Sequence, residues 1–465
     1  MSSILIKNAD MIVTMDKGKR QIKNGDIYIE GCEIKDIGRN LKKKAIRTIK
    51  ASGMVVYPGF VNTHHHFYQT LTRCIPALED AKLFDWLTGL YEIWRHLTPE
   101  AVYISALVAL SELVLTGCTA TTDQFYLFPK DQPKDLIDHE IQAAREIGIR
   151  FIPTRGGMSC GRSSGGLPPD DVIQSEDKIL QDYERLIKKY HDSSKFSMLK
   201  IGLGPCSPFS VTKELLEQTA RFGKEYRVKC HTHIAETLDE EKYCLKNFGK
   251  RPVEYMAELD WLGENFWYAH CIHLKDEEIR LLGKTGTGVA HCPVSNLRLG
   301  SGIAPVAKMI DNNVPVGLAV DGSASNDSSS ILREMKQALL VHRIKSGVDS
   351  MPAERVFEMA CCHGSRILGF EQSGSIEKGK AADLAIFQID GIGYAGCFDP
   401  ASSLLFAGES DIACYTIING KIVVENKSIV GLDTEELYHK ANRIARKMLQ
   451  SASKDTGIDY LKRKR

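Results

Sequence analysis

Two histidine groups stand out for their spacing. Asn62-Thr63-His64-His65-His66 follows Pro58-Gly59, and His231-Thr232-His233-Ile234-Ala235-Glu236 comes much later in the chain. His270, His291 and Asp321 each close a separate apolar run. Imidazole nitrogens and a carboxylate oxygen are the donor set of a divalent cation, zinc first and iron second. Three histidines and one aspartate leave one coordination position open to water, the arrangement of a catalytic rather than a structural ion. Side chains alternate along a strand, so His64 and His66 point one way and His65 the other. His231 and His233 share a face by the same rule, and one further imidazole suffices to complete the set. Such chemistry also needs a proton acceptor for the attacking water and a donor for the leaving group. Glu236, three residues past His233, and Asp321 are the two carboxylates available, and His270 is placed to orient water or a developing oxyanion.

These residues have to be brought together by strands. Eight short apolar runs alternate with helical patterns between residues 55 and 322: VVYPGFVNTH, CTATTDQF, RFIPTR, SMLKIGLGP, RVKCHTHIAE, FWYAHC, GTGVAHCP and VPVGLAVDG. Segments such as PEAVYISALVALSELVLTG supply the helices between them. The alternation predicts an α/β protein with a (β/α)8 TIM-like barrel, whose functional side chains gather at the C-terminal ends of the strands. Both termini instead read as short half-buried strands, including an Asn419-Gly420 hairpin signal, and are expected to pair into a small β-sandwich. The expected division is 1–57 with 371–430 for the sandwich, 58–370 for the barrel and 431–465 for a C-terminal helix and tail. Lys462-Arg463-Lys464-Arg465 reads as a solvated end.

Composition narrows the function classes. With 465 residues, 43% of them hydrophobic, the chain can bury a large core. A net charge of +1 offers no field for a polyanion, so no nucleic-acid partner is expected. No apolar run reaches the ~20 residues of a membrane span, so no membrane partner is expected either. Thirteen scattered cysteines point to reduced thiols and a cytoplasmic location. The outer helices of a barrel leave room for a homo-oligomer. Competing motifs fail on context. Gly157-Met158-Ser159-Cys160-Gly161 matches a nucleophile elbow, but a Gly- and Pro-rich loop follows it where a helix is required. That loop is better suited to a substrate lid. Pro205-Cys206 lacks the second cysteine of the base-flipping zinc deaminases. Gly283-Lys284-Thr285 has Glu278 where a phosphate-binding loop needs glycine.

PGFVNTHHH, HTHIAET, AHCIHL, HCPVSNLRLGSGIAP and VDGSASND, in that order, resemble the amidohydrolase superfamily, and the likeness covers nearly the whole chain. More narrowly they are similar to its single-metal purine, pyrimidine and triazine deaminases and hydrolases. The resemblance implies His64, His66, His233 and Asp321 as metal ligands, Glu236 as proton shuttle and His270 as the orienting histidine. Two-metal relatives carry a carbamylated lysine at the end of strand four; here that strand ends Gly204-Pro205-Cys206, and Lys200 lies too early. NTHHHFYQTLTRCIPALEDAKLFDWLTGLYEIWRHLTPE, TRGGMSCGRSSGGLPPD and GPCSPFSV look most like the members that deaminate 8-oxoguanine to urate and ammonia. Guanine deaminases carry an Arg-Phe pair at the end of strand four, where this chain has Cys206-Ser207-Pro208-Phe209. The expected substrate is therefore a small flat heterocycle, with Gln69, Trp86, Tyr126 and Arg155 lining its pocket and Cys206 as a wall. Guanine, isoguanine, isocytosine and hydroxytriazines remain alternatives, and a non-catalytic barrel scaffold is the reading from a different class.

Overall fold

A computed structural model describes residues 2–408 and 412–463. Eight parallel strands form the central sheet: β1 (Phe60–Asn62), β2 (Cys118–Phe125), β3 (Arg150–Gly157), β4 (Gly202–Pro205), β5 (Lys229–Ile234), β6 (Phe266–His270), β7 (Gly288–His291) and β8 (Val316–Leu318). Each pairs with the next in sequence, from β1 through to β8. The ends meet where the Thr63 amide and hydroxyl both donate to Leu318 O at 3.0 Å and the Val320 amide donates to Asn62 Oδ1 at 2.9 Å. A two-residue ladder then pairs Asp321-Gly322 with His65-His66, setting the last rim carboxylate beside the first rim histidines. β2 and β3 are buried along their whole length on both faces, against side chains inside and helices outside.

The run VVYPGFVNTH is divided between two sheets. Met54–Pro58 belongs to the terminal sheet and Phe60–Asn62 to the barrel, with Gly59 between them. A Cβ on Gly59 would stand 2.1 Å from the Thr119 side chain, so only glycine lets the chain cross over here. Strands from both termini join one continuous nine-stranded sheet around its own apolar core, which includes Ile6, Ile12, Ile27, Ile29, Leu384 and Ile417. Tyr415–Ile418 and Lys421–Glu425 form the expected hairpin, and Asn419 and Gly420 both take the positive φ that its turn demands.

The terminal helix spans Thr434–Thr456 and is capped by Asp433, whose carboxylate accepts the Glu435 and Glu436 amides. Of the basic tail, Lys462 and Arg463 pair with Asp459 and Glu79, while Lys464 and Arg465 lie outside the described residues. Among the described residues, no helix is long and apolar enough to cross a membrane.

Candidate active site

The rim of the barrel brings His64, His66, His233, His270 and Asp321 together. Ligand atoms of His64, His66 and His233, and separately of His64, His270 and Asp321, all lie within 4.8 Å of one another. His66 Nε2 is 3.2 Å from His233 Nε2, and Asp321 Oδ1 is 3.3 Å from His64 Nε2 and 3.5 Å from His66 Nε2.

Hydrogen bonds on the far side of each ring fix its tautomer. His66 Nδ1 faces Gln124 O at 2.9 Å and His233 Nδ1 faces Cys206 O at 2.6 Å. A carbonyl only accepts, so both Nδ1 atoms carry the proton and both Nε2 atoms present bare lone pairs. His231 extends the same logic one step. Its Nδ1 donates to Trp267 O at 2.9 Å, leaving Nε2 to accept from His64 Nδ1 at 2.7 Å. His64 Nε2 is thereby also a lone pair, buried and without a hydrogen-bond partner.

Three lone pairs and a carboxylate aimed at one point repel each other unless a cation sits among them, and orienting partners of this kind accompany metal-binding histidines. The donor set therefore fits a single divalent ion, which His64, His66, His233 and Asp321 would hold. A second ion has no lysine to bridge it: Lys200 precedes β4 and donates its ammonium to Gly369 O. His65 points away, as strand alternation predicts, and meets Ser329 Oγ at 3.0 Å.

Electrostatics suit the arrangement. Burial holds His64 and His233 well below the ordinary histidine range and His231 down at about 3, so these rings are neutral. Burial would raise the Asp321 carboxyl, but the adjoining His64 ring and the His270 charge outweigh it and hold the group well below the usual range. Ser295 Oγ (2.6 Å) and Ser325 Oγ (3.2 Å) donate to Asp321 Oδ2. Glu236 moves the other way, its carboxyl raised by burial and further by Asp321. For His270, burial pulls downward, yet the carboxylates of Glu236 and Asp321 prevail and raise it. Its Nδ1 donates to Asn296 Oδ1 at 2.8 Å, and its Nε2 stands 3.7 Å from Glu236 Oε2. Ala235, His270 and Asp321 all adopt positive φ (54°, 73° and 61°), a strain of about 1–3 kcal/mol each that clusters at functional sites.

Beside this cluster opens a small cavity of about 40 Å³. Gln69, Trp86 and Tyr126 line it, with Cys206, Ser207, Phe209, Leu83, Leu87 and Leu299. The Cys206 thiol is pushed up to about 12 by burial, so it is a wall and no nucleophile. Gly322 makes room for the Gln69 amide, which a Cβ there would approach to 1.9 Å.

Arg155 is not in the cavity. It points from β3 into the helical layer, where Nε donates to Asp182 (2.8 Å), a second nitrogen to Gln174 (2.8 Å), and the guanidinium lies 3.9 Å over the Phe128 ring. Nor does the loop after β3 cover the mouth, although its composition suggests a lid. The Leu83–Trp94 helix provides the cover through Leu83, Trp86, Leu87 and Tyr91, and the loop braces that helix through Arg162–Glu92 and Asp171–Arg95 pairs. Ser159 of the elbow-like motif is bonded to Thr212, and a single 3-10 turn follows it.

Sequence reasoning leaves the role of His231 open. Its spacing from His233 places it on the same inward face one layer deeper, which is the signal for a residue that holds a ligand.

Taken together, fold and site define a barrel hydrolase built to activate water at one divalent ion. The amidohydrolase family profile matches residues 55–423. The chain is 42% identical over 447 residues to the 8-oxoguanine deaminase of Pseudomonas aeruginosa, covering 95% of this chain and 98% of that protein. It is 34% identical over 470 residues to an isoxanthopterin deaminase from an unknown prokaryotic organism, covering 96% and 98%. The crystal structure of the atrazine chlorohydrolase of Arthrobacter aurescens TC1 complexed with zinc superimposes with a TM-score of 0.92 at 33% identity, covering 95% of this chain and all of that one. The chain belongs to the amidohydrolase family.

Proposed function

We propose that the protein deaminates a neutral purine base by hydrolysis, 8-oxoguanine and water giving urate and ammonia, with one zinc ion as cofactor. The observation that carries this is the cavity. It is walled by Trp86, Tyr126 and Phe209 and offers polar partners on Gln69 and Ser207. Among its described lining residues there is no lysine or arginine, so beyond His270 and the cation no positive side chain is offered to an anionic ligand. Leu83, Leu87 and Leu299 offer no hydrogen bond to a ribose, which favours the free base over a nucleoside. The similarity to an 8-oxoguanine deaminase agrees with both points. All thirteen cysteines are free, which agrees with a reducing, cytoplasmic setting.

When bound, the cation supplies the Lewis acidity that makes water nucleophilic near neutral pH. Asp321 accepts the proton of the attacking water, its carboxylate steadied by Ser295 and Ser325. Glu236, whose burial favours the protonated form, gives its proton to the ring nitrogen beside the reacting carbon. It then takes over the proton held by Asp321 and passes it to the departing amine, and recovers the hydroxyl proton of the tetrahedral species as the C–N bond breaks. His270, locked by Asn296, turns Nε2 toward the oxygen of the tetrahedral species. Ammonia release from 8-oxoguanine, guanine, isocytosine, cytosine and a hydroxytriazine tests the proposal. 8-Oxoguanine is expected to lead in kcat/KM by at least tenfold, on the order of one well-placed polar contact. A lead by the triazine would move the assignment to the triazine hydrolases, and inactivity on all five would remove the base-deaminase reading.

A further inference from the structure

Glu236 has to leave the line of β5 to reach the cavity, and its own side chain does not hold it there. Among the described residues its carboxylate has one ion-pair partner, His270 Nε2 at 3.7 Å. The carboxylate is therefore aimed by the backbone beneath it. Ala235 makes the turn at a φ of 54°, a left-handed conformation that costs a non-glycine residue about 1–2 kcal/mol. Its carbonyl accepts the amides of Ile272 (2.9 Å) and His273 (3.0 Å). On the other side, the Ala235 amide donates to Glu240 Oε1 at 2.9 Å and the Glu236 amide to Glu240 Oε2 at 2.8 Å. Glu240 lies in the first turn of the Leu238–Phe248 helix, where the Thr237 hydroxyl caps its own amide at 3.3 Å.

We propose that Glu240 is a positioning residue for the reaction: its two carboxyl oxygens grip successive backbone amides and so fix the direction in which Glu236 delivers its proton. Glu240 is 1% exposed and does not line the cavity, so it does not touch a ligand there and acts through the backbone that carries Glu236. Both oxygens are needed, because two adjacent amides point the same way and each requires an acceptor. Glutamine at this place turns an NH2 group onto one of them. The inference rests on the aminohydrolase reading for the role of Glu236, while the grip itself is measurable without catalysis.

Glu240→Gln is expected to lower kcat about 100-fold, the scale of an ångström's misplacement of a catalytic group, with KM changed less than about threefold. Zinc content stays at the wild-type value, and deuterium exchange in the peptide covering 234–241 speeds up. In a Glu236→Gln background the same substitution is expected to cost less than about twofold more, because the group it aims is already gone. Unchanged exchange, a kcat within about threefold of wild type, or an equal loss in both backgrounds would overturn the proposal. If Glu240→Gln fails to fold, Glu240→Asp, which keeps both oxygens but withdraws them by one methylene, must show the same loss of kcat; an undiminished kcat overturns it equally. A Glu236→Gln enzyme that remains fully active would remove the aminohydrolase role of Glu236 instead, leaving the exchange result to judge the grip.

Discussion

Replacing His231 with phenylalanine removes the hydrogen bond that turns His64 toward the ion. The ring of His231 stacks on Trp267 with centroids 4.4 Å apart and planes 13° apart, a packing that phenylalanine preserves. What disappears is Nε2, the acceptor 2.7 Å from His64 Nδ1, together with the Nδ1 bond to Trp267 O at 2.9 Å. His64 is fully buried, so its Nδ1 proton then either stays unpaired, at about 1–3 kcal/mol, or moves to Nε2, where it blocks the ligand lone pair. Both routes weaken zinc binding by a similar amount, about 10–100-fold in affinity or roughly 1.4–2.7 kcal/mol. Titrating the apoprotein with zinc against a chromophoric chelator measures this directly, and calorimetry of the same samples reports folding. An affinity within twofold of wild type would refute the claim that His231 fixes the tautomer of His64.

Other substitutions separate chemistry from architecture. Glu236→Gln is expected to reduce kcat by about 10²–10⁴-fold while zinc content holds, as steady-state ammonia release with metal analysis will show. Arg155→Met should leave KM and kcat within about twofold but cost about 3 kcal/mol in urea unfolding. Asp182 would lose one of its two guanidinium partners and keep Arg185 at 2.6 Å. Glu334, fully buried in the Ile331–Ser346 helix, has its carboxyl pushed by burial to about 8, although the Val294 amide and Asn326 oppose the shift. Its folded pKa exceeds the ordinary value of 4.5. The contribution is therefore complete below pH 4.5 and lost as pH climbs toward 8. Wild type should lose stability relative to Glu334→Gln over that interval, with a slope of at most about 1.4 kcal/mol per pH unit; parallel curves would dismiss the shift.

The eight barrel strands are legible because each is a short buried run, and several carry a rim histidine or aspartate at or just past their ends: His64 and His66 after β1, His233 in β5, His270 closing β6, His291 closing β7 and Asp321 after β8. The His64-x-His66 pair is legible because alternation along one strand is a local rule. Arg155 escapes that rule. All eight residues of β3 are buried, so no polar–apolar alternation tells which side chains face the cavity and which face the helices. The cover over the mouth is a long-range choice. Helix Leu83–Trp94 and the loop after β3 both adjoin the rim, and only the ion pairs to Glu92 and Arg95 show that the loop supports the helix. The break at Gly59 depends on Thr119, a residue of a different strand, and so leaves no trace in the run VVYPGFVNTH. Glu240 is equally silent, one acid among several at the start of a helix, until its oxygens are seen on two backbone amides.

Anomalous diffraction at the zinc edge, on crystals of the purified protein, addresses most directly whether four distant residues share one ion. A single peak is expected about 2.0–2.2 Å from Nε2 of His64, His66 and His233 and from a carboxylate oxygen of Asp321, with one zinc per chain by mass spectrometry. Two peaks, or a peak held by other residues with these four unligated, would contradict a single catalytic ion at the barrel rim.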